Sequence, residues 1–285
     1  WPIETTIYEQ RGTFREERPD NLGPCYFVNF ASGNDANSGF GAASAWQTML
    51  NALTGSRVTY GARIMLSAGS STENGLTDID YHSHATPSTY AQRPVQISGQ
   101  GRDLTTVVIS GATDGIKGDA AKLWSVEFTD MALTTAAVNK KILCDNAADQ
   151  AGSGFTLRDA AIGTDALQSY SVTATSTRMK LIRTLCRNQP YAPAYAALAD
   201  GTGVVEMHAC IVRGGQIRQA NGGWLEILHC DILGQRVTSG SVSIESTATV
   251  APKIVNTIIQ PRLYKPIVEA STSLTLTTAD IYGCV

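Results

Sequence analysis

Glu206 and Glu226 are the chain's best-placed pair for chemistry. They hold equivalent places in two stretches, 203–214 and 223–234, that match at an offset of 20 residues without a gap. If those stretches stack as neighbouring strands, the two carboxylates stand about 4.8 Å apart. Retaining glycosidases hold their acid/base and nucleophile about 5–5.5 Å apart, so the pair could act on a glycosidic bond. The same stacking sets Lys180 and Lys253 on either side. Each Glu then pairs with a neighbouring Lys in a surface ladder worth ~0–1 kcal/mol per pair. The ladder is the plainer reading, because no aromatic platform for a sugar surrounds the carboxylates.

The remaining reactive residue types are dispersed. His208 and His229 lie on or near the bend of adjacent repeats, at different places within the repeat, and lack a third ligand for a metal. His82 and His84, beside Asp78 and Asp80, make a better ligand set by composition, but within a Ser/Thr/Pro-rich loop and at no conventional spacing. Asp35-Ala36-Asn37-Ser38-Gly39 has the look of a calcium loop without its downstream Glu, and a turn built from Asn, Asp and Gly accounts for it. No metal and no cofactor are expected. Cys210 and Cys230 take one inward position on successive repeats, where a small apolar side chain packs well. No nucleophile elbow, phosphate loop or dinucleotide fingerprint is present.

The elements that position these residues follow from the repeat. Both copies read h-x-h-x-x-h-x-h, with h apolar or small. The pattern also fits Val126/Phe128/Met131/Leu133, Phe155/Leu157/Ala160/Ile162 and Met179/Leu181/Thr184/Cys186. Beyond the clear pair it continues as Pro252/Ile254/Thr257/Ile259 and Leu274/Leu276/Ala279/Ile281. The last positions step by 29, 24, 26, 20, 27 and 22 residues, about 25 on average. Each h-x-h half has the period of a strand, and the x-x between them is a bend. Further short strands fall at Val172/Ala174, Val242/Ile244 and Ile267. The fold expected is an all-β, single-domain parallel solenoid.

Residues 1–24 carry both charges and prolines and read as an extended arm, with residues 25–285 forming the solenoid. Ser44 with Gln47 three residues on resembles a capping box, opening a short helix with Trp46, Leu50 and Leu53 on one face. That helix would cover the first coil. The net charge of −3 gives no general field for nucleic acid or an anionic bilayer, and no run reaches the ~18–20 apolar residues of a membrane span. Six scattered cysteines suit a reducing compartment. The chain begins at Trp1 with neither an initiator Met nor a signal-peptide segment, which leaves secretion as the alternative location.

Several stretches together resemble the first coils of the pectin-lyase-like superfamily of right-handed parallel β-helices. They are Tyr26-Phe27-Val28, the 33–39 turn, the Trp46 segment, Ala62-Arg63-Ile64-Met65-Leu66-Ser67-Ala68-Gly69, Pro94-Val95-Gln96-Ile97-Ser98-Gly99-Gln100-Gly101 and Thr106-Val107-Val108-Ile109-Ser110-Gly111. The resemblance covers roughly residues 25–285 at the level of fold and implies no single activity, since the superfamily includes lyases, hydrolases, phage tailspikes and non-catalytic virion proteins.

Stacking the repeats also leaves two outward columns unexpectedly apolar. Ile182, Leu228 and Val255 follow the second h, and Leu185, Ile211 and Ile258 sit between the last two. A bare aliphatic stripe marks an interface. With the resemblance to tailspikes, the expectation is a homotrimer in a virus particle, assembled in the host cytoplasm, decorating a capsid or associated with a tail. The arm, with Trp1, Arg11, Arg15 and Arg18, would dock on a larger capsid or tail protein. The alternatives are a carbohydrate-active lyase or depolymerase using Glu206 and Glu226, and a non-catalytic adhesin that binds a glycan.

Overall fold

Inward-facing aliphatics at period two, broken by a two-residue bend, wind the chain into stacked turns. The computed structural model describes residues 23–54, 57–59, 61–75, 94–110, 115–118, 124–135, 141–145, 153–164, 170–188, 195–233, 244–246, 251–260, 267–269 and 281–282. Among the described residues three sheets, every pairing parallel, form the faces of the coil, and from Val95 on the chain visits the three in a fixed order. Sheet A has ten strands: Cys25–Val28, Arg63–Leu66, Val95–Ser98, Ser125–Thr129, Gly154–Arg158, Arg178–Ile182, Val204–His208, Trp224–Leu228, Lys253–Val255 and Ile281–Tyr282. Sheet B has eight: Gly69–Asn74, Thr105–Ser110, Ala132–Thr135, Ala161–Thr164, Leu185–Asn188, Ile211–Arg213, Asp231–Leu233 and Ile258–Gln260. Sheet C has seven, from Ile116–Lys117 to Ile267–Glu269. This is a parallel β-helix. No helix among the described residues is long and apolar enough to cross a membrane.

The register stacks the expected aliphatics rung over rung. Val126, Phe155, Met179, Val205 and Leu225 form one inward column of sheet A, and Phe128, Leu157, Leu181, Met207, Ile227 and Ile254 the next. Leu133, Ile162, Cys186, Val212, Ile232 and Ile259 line sheet B. All belong to one buried cluster. At ~1.5–3 kcal/mol per buried side chain, this cluster is the main force holding the coils closed.

From residue 130 on, each described A-to-B bend turns on one residue in the left-handed region. Asp130, Asp159, Arg183, Ala209, His229 and Asn256, one per turn, have φ between 47° and 55°. Their amides continue the ladder around the corner: Arg183 N–H donates to His208 O, Ala209 N–H to Leu228 O and His229 N–H to Val255 O. The stacked bonds offset a conformation that costs a non-glycine residue ~1–2 kcal/mol.

Two sequence expectations are corrected. The repeat pattern places Ile281 in the sheet B position, but Ile281 pairs with Ile254 in sheet A. Apolar letters at period two do not say which sheet they belong to, and the remaining members of that frame, Leu274, Leu276 and Ala279, lie outside the described residues. The capping box at Ser44 does not form. Ser44 Oγ turns to Gly41 O, Trp46 bridges Val28 in extended conformation, and the helix is the single turn Met49–Ala52. Carboxylates distant in sequence supply the capping instead. Asp35 accepts from Gln47 N–H, Thr48 N–H and Thr48 Oγ1, while buried Glu73 accepts from Met49 N–H at 2.8 Å and Leu50 N–H at 2.7 Å. Trp46, Leu50 and Leu53 are nevertheless all buried in the common cluster. The arm, with Trp1, Arg11, Arg15 and Arg18, and the Asp78/Asp80/His82/His84 cluster lie outside the described residues.

Candidate functional site

Alternation along each sheet A strand turns Glu206 and Glu226 outward, directly opposite one another in register. Neither carboxylate faces the other unpartnered. Glu206 lies 3.3 Å from Arg178 Nε and 3.2 Å from Lys180 Nζ, and Glu226 3.5 Å from Lys253 Nζ and 3.6 Å from His208 Nε2. Further along, Glu127 accepts from Arg158 Nε at 2.8 Å. The oxygens a sugar would address are engaged by basic side chains, in a ladder of half-buried carboxylates and more exposed partners whose pairs are each worth ~0–1 kcal/mol.

The structure adds what the sequence reading did not find, an aromatic beside this pair. Trp224 opens the same strand as Glu226, on the same face and two residues away, and is 37 % exposed. It stacks in a column with Arg178 and Val204. Strand periodicity was the signal that could have placed it.

Two apolar columns flank the A–B bend. On the sheet A side Ile182, Leu228 and Val255 are half-buried, with His208 between Ile182 and Leu228. On the sheet B side Ile211 is 38 % and Ile258 46 % exposed, whereas Leu185 keeps only 8 % of its surface. Asp231 stands between Ile211 and Ile258. The stripe is thus aliphatic but broken once on each side by a polar residue.

Along the same bend runs a cavity of about 430 Å³ lined by Arg102, Asp130, Asp159, Arg183, Leu185 and Ile211, among others. Arg183 donates to both Asp159 oxygens at 2.6 Å, and this clamp holds the Asp159 carboxyl below the usual carboxylate range. A second cavity of about 260 Å³ shares Arg102 and extends over sheet B, where its floor is Thr106, Ala132, Thr134, Ala161 and Gly163 and its far wall Arg187. Sequence reading did not single out this groove, because it is made by small side chains and by the longer 99–104 connection rather than by a motif.

Behind the bend three thiols pack inside the coil. Cys186, Cys210 and Cys230 are buried, and Cys210 N–H lies 3.4 Å from Cys230 Sγ. Burial pushes the Cys186 thiol up to about 12, and the contact with Cys230 together with burial raises Cys210. The five described cysteines are free thiols. Among the described residues no group of three His, Cys, Asp or Glu side chains is placed to hold a metal ion.

Fold and surface together define a parallel β-helical rod with an ion-paired face, a broken aliphatic corner and an arginine-rimmed groove. No protein-family model matches the chain, and no curated protein matches it. Among solved structures it is similar to a rhamnogalacturonan lyase, at 12 % identity and a TM-score of 0.33, over 87 % of this chain and 73 % of that one. It is also similar to the Geobacillus virus E2 protein ORF18, at 9 % identity and a TM-score of 0.30, over 74 % of this chain and 52 % of that one. Overlaps this shallow transfer neither substrate nor role.

Proposed function

We propose that the chain is a non-enzymatic structural protein of a virus particle, a right-handed parallel β-helix that assembles as a homotrimer on the capsid or the tail. The observation that carries the reading is the exposure of Ile211 and Ile258 beside Leu228 and Val255 on one corner of the rod. Aliphatics lined up on a corner cost free energy in water and gain it when three rods meet about a common axis. The acids of sheet A are occupied by structural ion pairs, which suits a surface built for stability rather than turnover. Free thiols fit assembly in a reducing host cytoplasm. The viral setting rests on the resemblance to β-helices that include tailspikes and virion proteins. The 1–24 arm, through Trp1, Arg11, Arg15 and Arg18, would dock on a larger capsid or tail component.

Light scattering on the purified chain tests assembly. The expected mass is three copies, falling to one for Ile211→Asp combined with Ile258→Asp while circular dichroism is unchanged. A wild-type monomer at micromolar concentration overturns the reading. Antibody labelling of particles from the native source tests the location.

A second reading, a glycan-binding adhesin or a lyase on sheet A, is favoured by Trp224 standing beside Glu226. A screen on acidic and neutral polysaccharides with Glu206→Gln, Glu226→Gln and Trp224→Ala separates the two. Binding lost only in Trp224→Ala, with no reducing ends released, identifies an adhesin, and release abolished by either Gln variant identifies an enzyme.

A further inference from the structure

Sheet B carries an unexplained pair of like charges. Arg187 and Arg213 are directly opposite in register on adjacent strands and both are exposed. Their column continues through Thr72, Val108, Thr134 and Gly163 on one side and Leu233 on the other, with no carboxylate in it. Like charges facing one another across a sheet are destabilising, so such a pair normally has a counter-charge. Among the described residues neither guanidinium has an ion pair or a side-chain hydrogen bond. The nearest acid on the following strand, Asp231, lies in the neighbouring column, on the diagonal from Arg213.

A second observation points to what fills the gap. Arg187 forms one wall of the 260 Å³ cavity, and Arg102 stands across it. Asp103, 3.9 Å from Arg102, also lines the cavity but holds its carboxylate largely in solvent. Between the two arginines the floor is small and in part hydroxylated, with Thr106 and Thr134 beside Gly163. A β-carbon at Gly163 would run into the Arg187 carbonyl, so that position is fixed as bare backbone and the cavity stays open. A guanidinium offers a planar fork of donors that fits two oxygens of a tetrahedral oxyanion, and threonine hydroxyls supply further donors. Because the whole chain carries −3, attraction of an anion here is a local property of these three arginines rather than of the overall field.

We propose that Arg187 and Arg213, with Arg102 across the cavity, form a binding site for the oxyanion of a phosphate- or sulfate-bearing ligand on the outer face of sheet B. The two arginines lie two residues along their strands from Leu185 and Ile211, so assembly mass is followed alongside anion binding. Calorimetric titration of the full chain with inorganic phosphate, sulfate and tripolyphosphate at about 0.15 M chloride tests it. The expected result is saturable binding, tighter for tripolyphosphate, which can reach from Arg213 toward Arg102. Arg187→Ser and Arg213→Ser are each expected to weaken it about tenfold or more, with Arg187→Lys intermediate and Arg178→Ser, on sheet A, unchanged. A preference for phosphate or for sulfate assigns the ester. In anion-free buffer both Ser variants are expected to melt at or above the wild-type temperature, because a repulsion has been removed. Uptake that is absent, or equal in wild type and both Ser variants, overturns the proposal. So does a lowered melting temperature, or a change in assembly mass with anion affinity intact, which would assign the arginines to packing or to a subunit contact.

Discussion

Asp145 is the sharpest place to test how one turn is fastened to the next. It follows the sheet C strand Lys141–Cys144, and its buried carboxylate accepts from the corner of the following turn. The donors are Thr175 N–H, Ser176 N–H and Thr177 N–H, each at 2.8 Å, and Thr177 Oγ1 at 3.0 Å. Asp145→Ala removes every acceptor. Thr177 is buried, so its amide and hydroxyl bear most of the desolvation penalty, while half-buried Thr175 and Ser176 regain part of theirs from water. An unsatisfied buried donor costs ~1–3 kcal/mol, which puts the total near 3 kcal/mol. Asp145→Asn can place its carbonyl where Oδ2 lies, since that oxygen takes Ser176 and Thr177. It then loses the charge and one contact to Thr175, about 1 kcal/mol. At roughly 2–3 °C per kcal/mol for a chain of this size, the melting temperature falls by ~6–9 °C for Ala and ~2–3 °C for Asn. Urea and thermal denaturation followed by circular dichroism measure both. An Ala variant within ~1 kcal/mol of wild type, or an Asn variant as poor as Ala, refutes the reasoning.

Three other outcomes follow from the same geometry. Burial raises the Glu73 carboxyl above its ordinary 4.5, so the folded state binds that proton more tightly than the unfolded state does. Wild-type stability therefore drops as pH rises from about 4.5 through the raised value, and Glu73→Gln lacks this drop; denaturation midpoints across pH should show the variant gaining on wild type as pH rises, and the opposite slope refutes the assignment. Cys144, Cys186, Cys210 and Cys230, being buried, should resist alkylation near pH 8 until the chain is unfolded, as counted by mass spectrometry. Ala209→Gly, at φ 54°, should stabilise by ~0.5–1 kcal/mol because glycine enters the left-handed region freely, whereas Ala199→Gly, buried in a sheet C strand, should destabilise.

The coil was legible in the sequence wherever burial dictates residue type. The frame from Val126 to Ile259 reads correctly because inward positions tolerate only apolar or small side chains, and even Thr184 and Thr257 fit by returning their hydroxyls to nearby carbonyls. What could not be read depends on contacts between residues far apart in the chain. Nothing near Glu73 or Asp145 announces that their acceptors serve amides 23–32 residues away. The left-handed bends were legible in part, because Asp130, Asp159, His229 and Asn256 are of types that favour that conformation, whereas Arg183 and Ala209 adopt it through stacking. On the surface, the aligned columns already contain His208 and Asp231 and place Trp224 outward, but the burial of Leu185 depends on neighbouring strands as well as on parity.

The turn that separates Val204 from Trp224 spans twenty residues, and its two ends occupy superimposable places in the ladder. Removing residues 204–223 would join Gly203 to Trp224 in the position Val204 now fills, and duplicating them would insert one more equivalent storey. The reach of the molecule is thus a count of interchangeable units, open to change by unequal copying of a short stretch of gene without disturbing what lies above or below.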